Sequence, residues 1–511
     1  MINFYEELKN RNLESLLEPV EYKYEGFYND RLLFDALDNI KEHNKKVLIY
    51  GDPDVDGLSS LLIVREALER IGHKNFEVYD YDTREHSVNI NAVTKAIYEK
   101  FDYMIIVDSS SNDVKNISML IEFGVTPIII DHHVTHYDDY KYYPSGCVII
   151  SSDIENRLRH ERFYKVSAGA MCFSLFGKYL EDRKYPWKDL SAYGLISLYS
   201  DCIEMSPKFN RGIYYLATSL KTHELPRFIT DFFFKTSVFS RRFIEFTLAP
   251  KINALFRSEN FNILNAYFLR DLSYVERQKL LLVIDEVHSE ARTLVSRVSD
   301  TIEKKNLNNI VIGNLSTSQF AINENKLYNY TGLVANNLSS EYGKPSVVLC
   351  ETGTYIKGSF RDLFSRNYLP KFKQFCYAEG HGAAFGIKLQ YNEVDNFLYC
   401  LEELVDKKFF ILGVQEPIEV QCDTSYPDDK LLGDMALYNE FSGTEIPIAL
   451  LTKKNDLTSK TSYSKSSRYT YEWGSYRIDS SYVIPPGSMI KIKPTLTSSI
   501  KLITYTKNIM L

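Results

Sequence analysis

The 511-residue sequence has no apolar run of the roughly 18 to 20 residues that a membrane-spanning helix requires. Its first residues, MINFYEELKNRNLESLLEP, are charged and lack the apolar centre of a signal peptide. Cysteine is sparse and unpatterned. The seven residues (Cys147, Cys172, Cys202, Cys350, Cys376, Cys400 and Cys422) are odd in number and form no CxxC. That argues against a disulfide framework and a zinc ribbon and points to a reducing cytoplasm, with no membrane partner. There is no internal repeat and no low-complexity stretch. One further absence is local: YGDPDVDGLSS, Tyr50 to Ser60, carries Asp52, Asp54 and Asp56 and not one basic residue.

What is present fits a globular protein, with 44% hydrophobic and 25% charged residues. The length exceeds what one hydrophobic core fills, so about two to four domains are expected. The net charge of −7 is unevenly spread. Ser206–Arg257 holds nine Lys/Arg against three Asp/Glu, and Leu451–Leu511 holds ten against three. Both zones interleave the charges with aromatics, as in RFITDFFFKTSVFSRRF and, in the tail, Lys465, Arg468, Tyr469, Tyr471, Trp473, Tyr476 and Arg477. Positive charge beside stacking surfaces suits a single-stranded nucleic acid; the plainer reading is core aromatics under a solvated face.

In the first half, KKVLIYGD, YMIIVDSS and VTPIIIDHH read as buried strands ending in polar residues. SSLLIVREALERIG and DVKNISMLIEFG between them have helical spacing and end near Gly. The alternation predicts an α/β fold with a parallel, doubly wound sheet whose ligand site lies beyond the carboxyl ends of the strands. A helical region follows to about residue 305, closing on a long amphipathic run from SYVERQKLL to SDTIEKKN. A second α/β pattern runs from NNIVIGN to about residue 408, and the tail after KLLGDMALYNEF reads as a small β-rich module.

Four acidic clusters end apolar segments: Asp52-Asp54-Asp56, Asp108, Asp131-His132-His133 and Asp201. Singly, a strand-end Asp is often only a helix cap. Four on one sheet edge would repel one another unless a cation sat among them. Carboxylates with imidazole suit Mn²⁺ or Mg²⁺, and the histidine favours Mn²⁺. Two such ions roughly 3.5–4 Å apart are the usual apparatus of phosphoester hydrolysis.

GDPDVDG, VDSS, DHH and YSDCIEM, in this order, resemble motifs I to IV of the DHH phosphoesterase superfamily, and EGHGAAFG (Glu379 to Gly386) resembles the GGHxxAAG motif of its DHHA1 domain. FTLAPKINALFR, YTGLVANNLSSEYGKPSVVL and IKGSFRD are similar to segments of the RecJ branch, and YNEFSGTEIPIAL is a fainter match to the opening of its OB-like domain. The resemblance implies a parallel-sheet DHH domain (1–225), a helical region with a long connecting helix (226–305), a smaller α/β DHHA1 domain (306–408) and a C-terminal OB-like nucleic-acid-binding module (409–511). It implies a 5′→3′ exonuclease that hydrolyses single-stranded nucleic acid, DNA before RNA, to 5′-mononucleotides with water activated by two Mn²⁺, Mg²⁺ being the other candidate ion. Asp54, Asp56, Asp108, His132 and Asp201 would be metal ligands, with Asp108 bridging and Asp52 a ligand or just behind one. His133 would orient neighbours or touch the scissile phosphate. Ser359, Arg361, Gly380 and His381 would hold substrate phosphates, and Lys251, Asn253 and Arg257 would line the path of the strand.

Three positions depart from the family pattern. Glu379 and Phe256 replace Gly, and Phe385 replaces a small residue, which implies a narrower cleft or a different substrate. The alternative within the superfamily is a phosphodiesterase for short oligonucleotides or cyclic dinucleotides. A non-catalytic scaffold is disfavoured because every ligand position is filled. For EGHGAAFG, the plain alternative is a tight turn into a packed helix, with His381 as a cap.

Overall fold

The computed structural model describes residues 4–10, 12–159, 165–233, 238–307, 309–315, 324–353, 355–362, 367–404, 419–421, 429–441, 449–453, 458–460, 469–473, 476–480, 489–494 and 499–506. Lys465, Arg468 and residues 442–448 of the YNEFSGTEIPIAL segment lie outside them. Among the described residues no helix is long and apolar enough to cross a membrane. The chain divides into two compact units: residues 20–302 with 315–334, and residues 1–19, 303–314 and 335–511.

The first unit is built on the expected parallel sheet. Strands β1 (Val47–Gly51), β2 (Phe76–Val78), β3 (Tyr103–Val107), β4 (Thr126–Asp131) and β5 (Val148–Ser151) lie in the order β2-β1-β3-β4-β5, every pair parallel. Each crossover carries a helix or a long segment, so both faces are covered. The central strands therefore consist of apolar residues shielded on either side: Val47, Leu48, Ile49 and Met104 to Val107 are fully buried. At about 1.5–3 kcal/mol per buried aliphatic side chain, this sheet anchors the unit. The strand order reverses between β1 and β3, where doubly wound sheets open a crevice for ligands.

Two helices, Ala168–Asp182 and Ser191–Ser200, pack against the helix Val55–Arg70 that follows β1. Small residues make the approach close. A Cβ at Gly169 would stand 2.6 Å from the Ser197 side chain. The amphipathic run forms a 28-residue helix, Tyr274–Thr301, about 42 Å long at 1.5 Å per residue. It begins on a capping box between Ser273 and Glu276.

The second unit contains two sheets. Strands β6 (Glu303–Asn306), β7 (Val311–Leu315), β8 (Ser346–Thr352), β9 (Tyr355–Arg361), β10 (Tyr377–His381) and β11 (Ala384–Leu389) form the order β10-β11-β9-β8-β7-β6. The tail forms a seven-stranded mixed sheet between residues 419 and 506, after the helix Asp429–Phe441 in all strands but the first. The N-terminal helix Phe4–Asn10 belongs here too. Tyr5 donates a hydrogen bond to Asp434 at 2.7 Å, and the Phe4 ring meets Tyr438 edge-on.

Candidate metal centre

The acidic stretch turns sharply because glycine permits it. A Cβ at Gly57 would stand 2.2 Å from the Asp52 carbonyl oxygen, so the helix after β1 can start this close to the strand end only with Gly there. Asp54 caps that helix, its Oδ1 accepting the Gly57 amide at 2.9 Å. Asp56, in the first turn, accepts the amides of Ala168 (2.9 Å) and Gly169 (2.8 Å) at the start of another helix, and the Ser197 hydroxyl at 2.5 Å. Positive helix ends favour such an anion.

Asp108 directly follows β3 and does not cap the next helix, Val114–Glu122, which begins after Asp113. Its φ of +64° and the +76° of Ser110 place two non-glycine residues in the left-handed region, at a cost of about 1–3 kcal/mol each. The Asp108 carboxylate comes together with Asp52 and Asp54 from beyond β1 and with His132 and His133 from beyond β4. Asp131 ends β4 and accepts Ser111 N–H at 3.0 Å and His133 Nδ1–H at 2.8 Å. Asp201 closes the helix Ser191–Ser200.

These elements bring the side chains together. His132 Nε2 lies 3.2 Å from Asp108 Oδ1 and 3.7 Å from both Asp56 Oδ2 and Asp201 Oδ2. Among the described residues, three donor sets have ligand atoms mutually within 4.8 Å: Asp52-Asp54-Asp108, Asp108-His132-His133 and Asp56-His132-Asp201. Asp108 and His132 each belong to two. The oxygens Asp52 Oδ1 and Asp108 Oδ1 are buried with no hydrogen-bond partner. Burial drives the Asp56 carboxyl up to about 6, with Asp201 and Asp54 adding to the rise and His132 opposing it. Burial, then Asp56 and Asp54, raise Asp108 well above the carboxylate range. Burial would lower His133, but the Asp131 carboxylate and its hydrogen bond carry it up to about 10. A divalent cation fits this set: it supplies the charge that crowded, desolvated carboxylates lack and a partner for the orphaned oxygens.

Residues 46–194 match the family model described as the DHH family, N-terminal domain. That segment resembles a DHH-family N-terminal domain. The chain is 24% identical to a protein of Bacillus subtilis (strain 168) described as a putative SPbeta prophage-derived single-strand DNA-specific exonuclease, YorK, over 87% of this chain and 81% of that one. It is also 24% identical to the single-stranded-DNA-specific exonuclease RecJ of the same organism, over 80% of this chain and 52% of that one. Its fold resembles RecJ from Thermus thermophilus in complex with Mn²⁺ (TM-score 0.70, 16% identity), covering 99% of this chain and 76% of that one.

Two side chains at the same sheet edge escape sequence reasoning. His86 Nδ1 donates to Asp52 Oδ2 at 2.6 Å. Arg84 donates to Asn329 at 2.8 Å, while its Nε is buried without a partner; burial lowers its pKa, and Asp54 and Asp52 counter that. Both lie in DTREHS, a polar stretch with no periodicity, and only the return of the chain from β2 brings them to the centre. Asp131, part of the third acidic cluster but absent from the implied ligand set, holds His133.

The implied strand-path residues divide. Lys251 is buried, with Nζ 2.5 Å from Asp285 Oδ1 and 5.4 Å above the Phe232 ring, whereas Asn253 and Arg257 are half-buried. In the second unit, EGHGAAFG is a β10–β11 hairpin turning at Gly382-Ala383, which rules out the plain alternative of a turn into a packed helix. Gly380 has φ +136°, and a Cβ there would meet the Ala384 oxygen at 2.8 Å, so its backbone closes on the neighbouring strand. Register sets Arg361, Ala384 and His381 in one row, with Ser359 in the row through Gly386 and Glu379. Two of the departures fill cores. Phe385 is 2% exposed and stacks on Phe360 at 4.7 Å, and Phe256 packs edge-on against Tyr81. Glu379 is exposed and accepts a hydrogen bond from Tyr377.

Proposed function

We propose that this chain is a metal-dependent exonuclease that hydrolyses single-stranded DNA from the 5′ end to 5′-mononucleotides. Its broader class, phosphoester hydrolysis, rests on one observation above all. Asp52, Asp54, Asp56, Asp108, His132 and Asp201 meet at the switch point of a parallel sheet, with the buried Oδ1 atoms of Asp52 and Asp108 making no hydrogen bond. The single-strand substrate follows the descriptions of the Bacillus subtilis relatives and the basic, aromatic-rich tail.

Asp54, Asp56, Asp108, His132 and Asp201 would hold two divalent ions, Mn²⁺ before Mg²⁺, with Asp108 between them. Bound there, the ions supply Lewis-acid charge and bring the pKa of a water toward neutrality. The protein does the rest. The amides of Ala168 and Gly169 fix Asp56. Asp131 holds the half-exposed His133 ring, whose free edge reaches the scissile phosphate. Arg84 brings a cation to a substrate phosphate beside Asp52 and Asp54. Ser359, Arg361, Gly380 and His381 hold further phosphates, Asn253 and Arg257 line the path, and the C-terminal sheet acts as an OB-like track. In this reading the functional segments are 1–225, 226–305, 306–408 and 409–511.

The test is a gel assay with Mn²⁺ on end-labelled, 5′-phosphorylated single-stranded DNA, matching RNA, duplex DNA and a dinucleotide. Mononucleotides released stepwise from the 5′ end of the single-stranded DNA are the expected result. Cleavage of the dinucleotide alone would leave a small-nucleotide phosphodiesterase, the reading that an exposed Glu379 beside the phosphate-holding row favours.

A further inference from the structure

The segment between β2 and the helix Ile90–Tyr98 is pinned at both ends. Asn265 Oδ1 accepts the Tyr81 amide at 3.0 Å while its Nδ2 donates to the Tyr81 carbonyl at 2.9 Å. At the far end Tyr50 Oη donates to the Ser87 carbonyl at 2.9 Å, and the Val88 amide donates to Ser110 Oγ, also at 2.9 Å. Ser110 is the second residue in left-handed backbone beside Asp108, so the pin is fastened to the strained turn of the centre itself. Asn89 Nδ2 closes the loop onto Asp82 at 2.9 Å. A loop tied at five points holds what it carries to a fixed position.

His86 is what it carries toward the metal centre. Its Nδ1 is committed to Asp52 Oδ2 at 2.6 Å, where the Asp52 side chain is 3% exposed, yet the His86 side chain is 59% exposed. The exposed part is therefore the opposite edge of the ring, Nε2 with its flanking carbons. A second donor, the unpartnered Nε of Arg84, lies two residues away in the same loop.

We propose that His86, oriented by Asp52, contacts the substrate through its Nε2 edge, which hydrogen-bonds a phosphate oxygen of the bound strand. The inference rests on the single-strand exonuclease reading above. It assigns Asp52 Oδ2 to holding His86 and leaves Oδ1, which has no hydrogen-bond partner, to the metal centre. No periodicity marks His86 in the sequence, and no motif quoted above contains it.

The test compares His86→Ala and His86→Gln with the parent full-length chain. Mn²⁺ affinity is measured by calorimetry. Strand affinity is measured by fluorescence anisotropy, using a 3′-labelled, 5′-phosphorylated oligothymidylate in Ca²⁺. The expected result is a roughly tenfold loss of strand affinity for Ala, the scale of one hydrogen bond to a charged group. Gln should recover part of that loss, with Mn²⁺ affinity within about twofold of the parent in both. Unchanged strand affinity would overturn the proposal. So would a fall in Mn²⁺ affinity as large as the fall in strand affinity, which would place His86 among the groups that hold the ions. A parent chain that neither binds nor cleaves the strand would instead overturn the single-strand exonuclease reading, and this proposal with it.

Discussion

The Asp56 carboxylate rests on the amide of Gly169, 2.8 Å away and 113 residues further along the chain. One side chain from the acidic stretch is thereby tied to the first turn of a distant helix, and the metal centre inherits the packing of three helices. Replacing Gly169 by Ala tests that dependence. The added Cβ would stand 2.6 Å from the Ser197 side chain and 3.3 Å from Asp56 Oδ1. Overpacking of this kind costs about 1–3 kcal/mol. Thermal melts should register the loss, and Mn²⁺ affinity measured by calorimetry should fall with it.

Asp108→Asn should reduce hydrolysis about a thousandfold or more, because the carboxylate shared by two donor sets is lost while the shape is kept. Without metal the same variant should melt no lower than the parent, since it removes a buried carboxyl crowded by Asp56 and Asp54. A metal-free melting point several degrees below the parent would count against that account of its electrostatics.

The pH dependence has a definite sign. Burial raises the Asp56 carboxyl to about 6, against about 3.9 in an unfolded chain. The folded, metal-free protein therefore binds this proton more tightly than the unfolded chain does, and the contribution to stability shrinks as pH rises from about 4 to about 6. Metal needs the deprotonated carboxylate, so the stabilisation that Mn²⁺ confers should grow over the same range. Melting with and without Mn²⁺ at pH 5 and pH 7 measures both trends. A larger gain at the lower pH would contradict them.

Lys251 should prove structural. Its ammonium is 2.5 Å from Asp285 and lies over the Phe232 ring. Lys251→Ala should cost about 1–3 kcal/mol in stability, the scale of a broken charged hydrogen bond. Oligonucleotide affinity should stay within about twofold of the parent, because the charge already has a partner.

The tail separates the two substrate readings. Trp473 and Tyr476 are cross-strand partners in the C-terminal sheet. If that sheet is a single-strand track, changing both to Ser should weaken long strands by tenfold or more, at about 1–3 kcal/mol per stacked base. Dinucleotide hydrolysis should be untouched. Equal loss on both substrates in a gel assay would mean that the sheet acts through folding.

Much of this molecule is legible in one dimension because its signals are local. Strand and helix periods alternate from Lys45 to Asp131, and a parallel sheet follows once each apolar run ends in a turn. The chemistry of Asp54, Asp56, Asp108 and His132 is readable for the same reason: each stands at or just past the end of a strand, where a doubly wound sheet presents its ligands. Other features depend on which distant segments meet. The cations and aromatics of the Ser206–Arg257 zone read as one track, yet Lys251 turns inward because Asp285 waits on another helix. Phe385 reads as a change to a substrate cleft, yet it fills the core of the second unit against Phe360 and Phe372. The N-terminal helix carries no hint that Tyr5 will meet Asp434. The sheet, its polar edge and the acidic residues placed there follow from the order of residues, since backbone hydrogen bonding and side-chain periodicity act over a few positions. How those residues are held follows from the folded chain instead. Burial, strain at Asp108 and the bonds from His86 and Gly169 arise only when segments far apart in the chain exclude water from the same space.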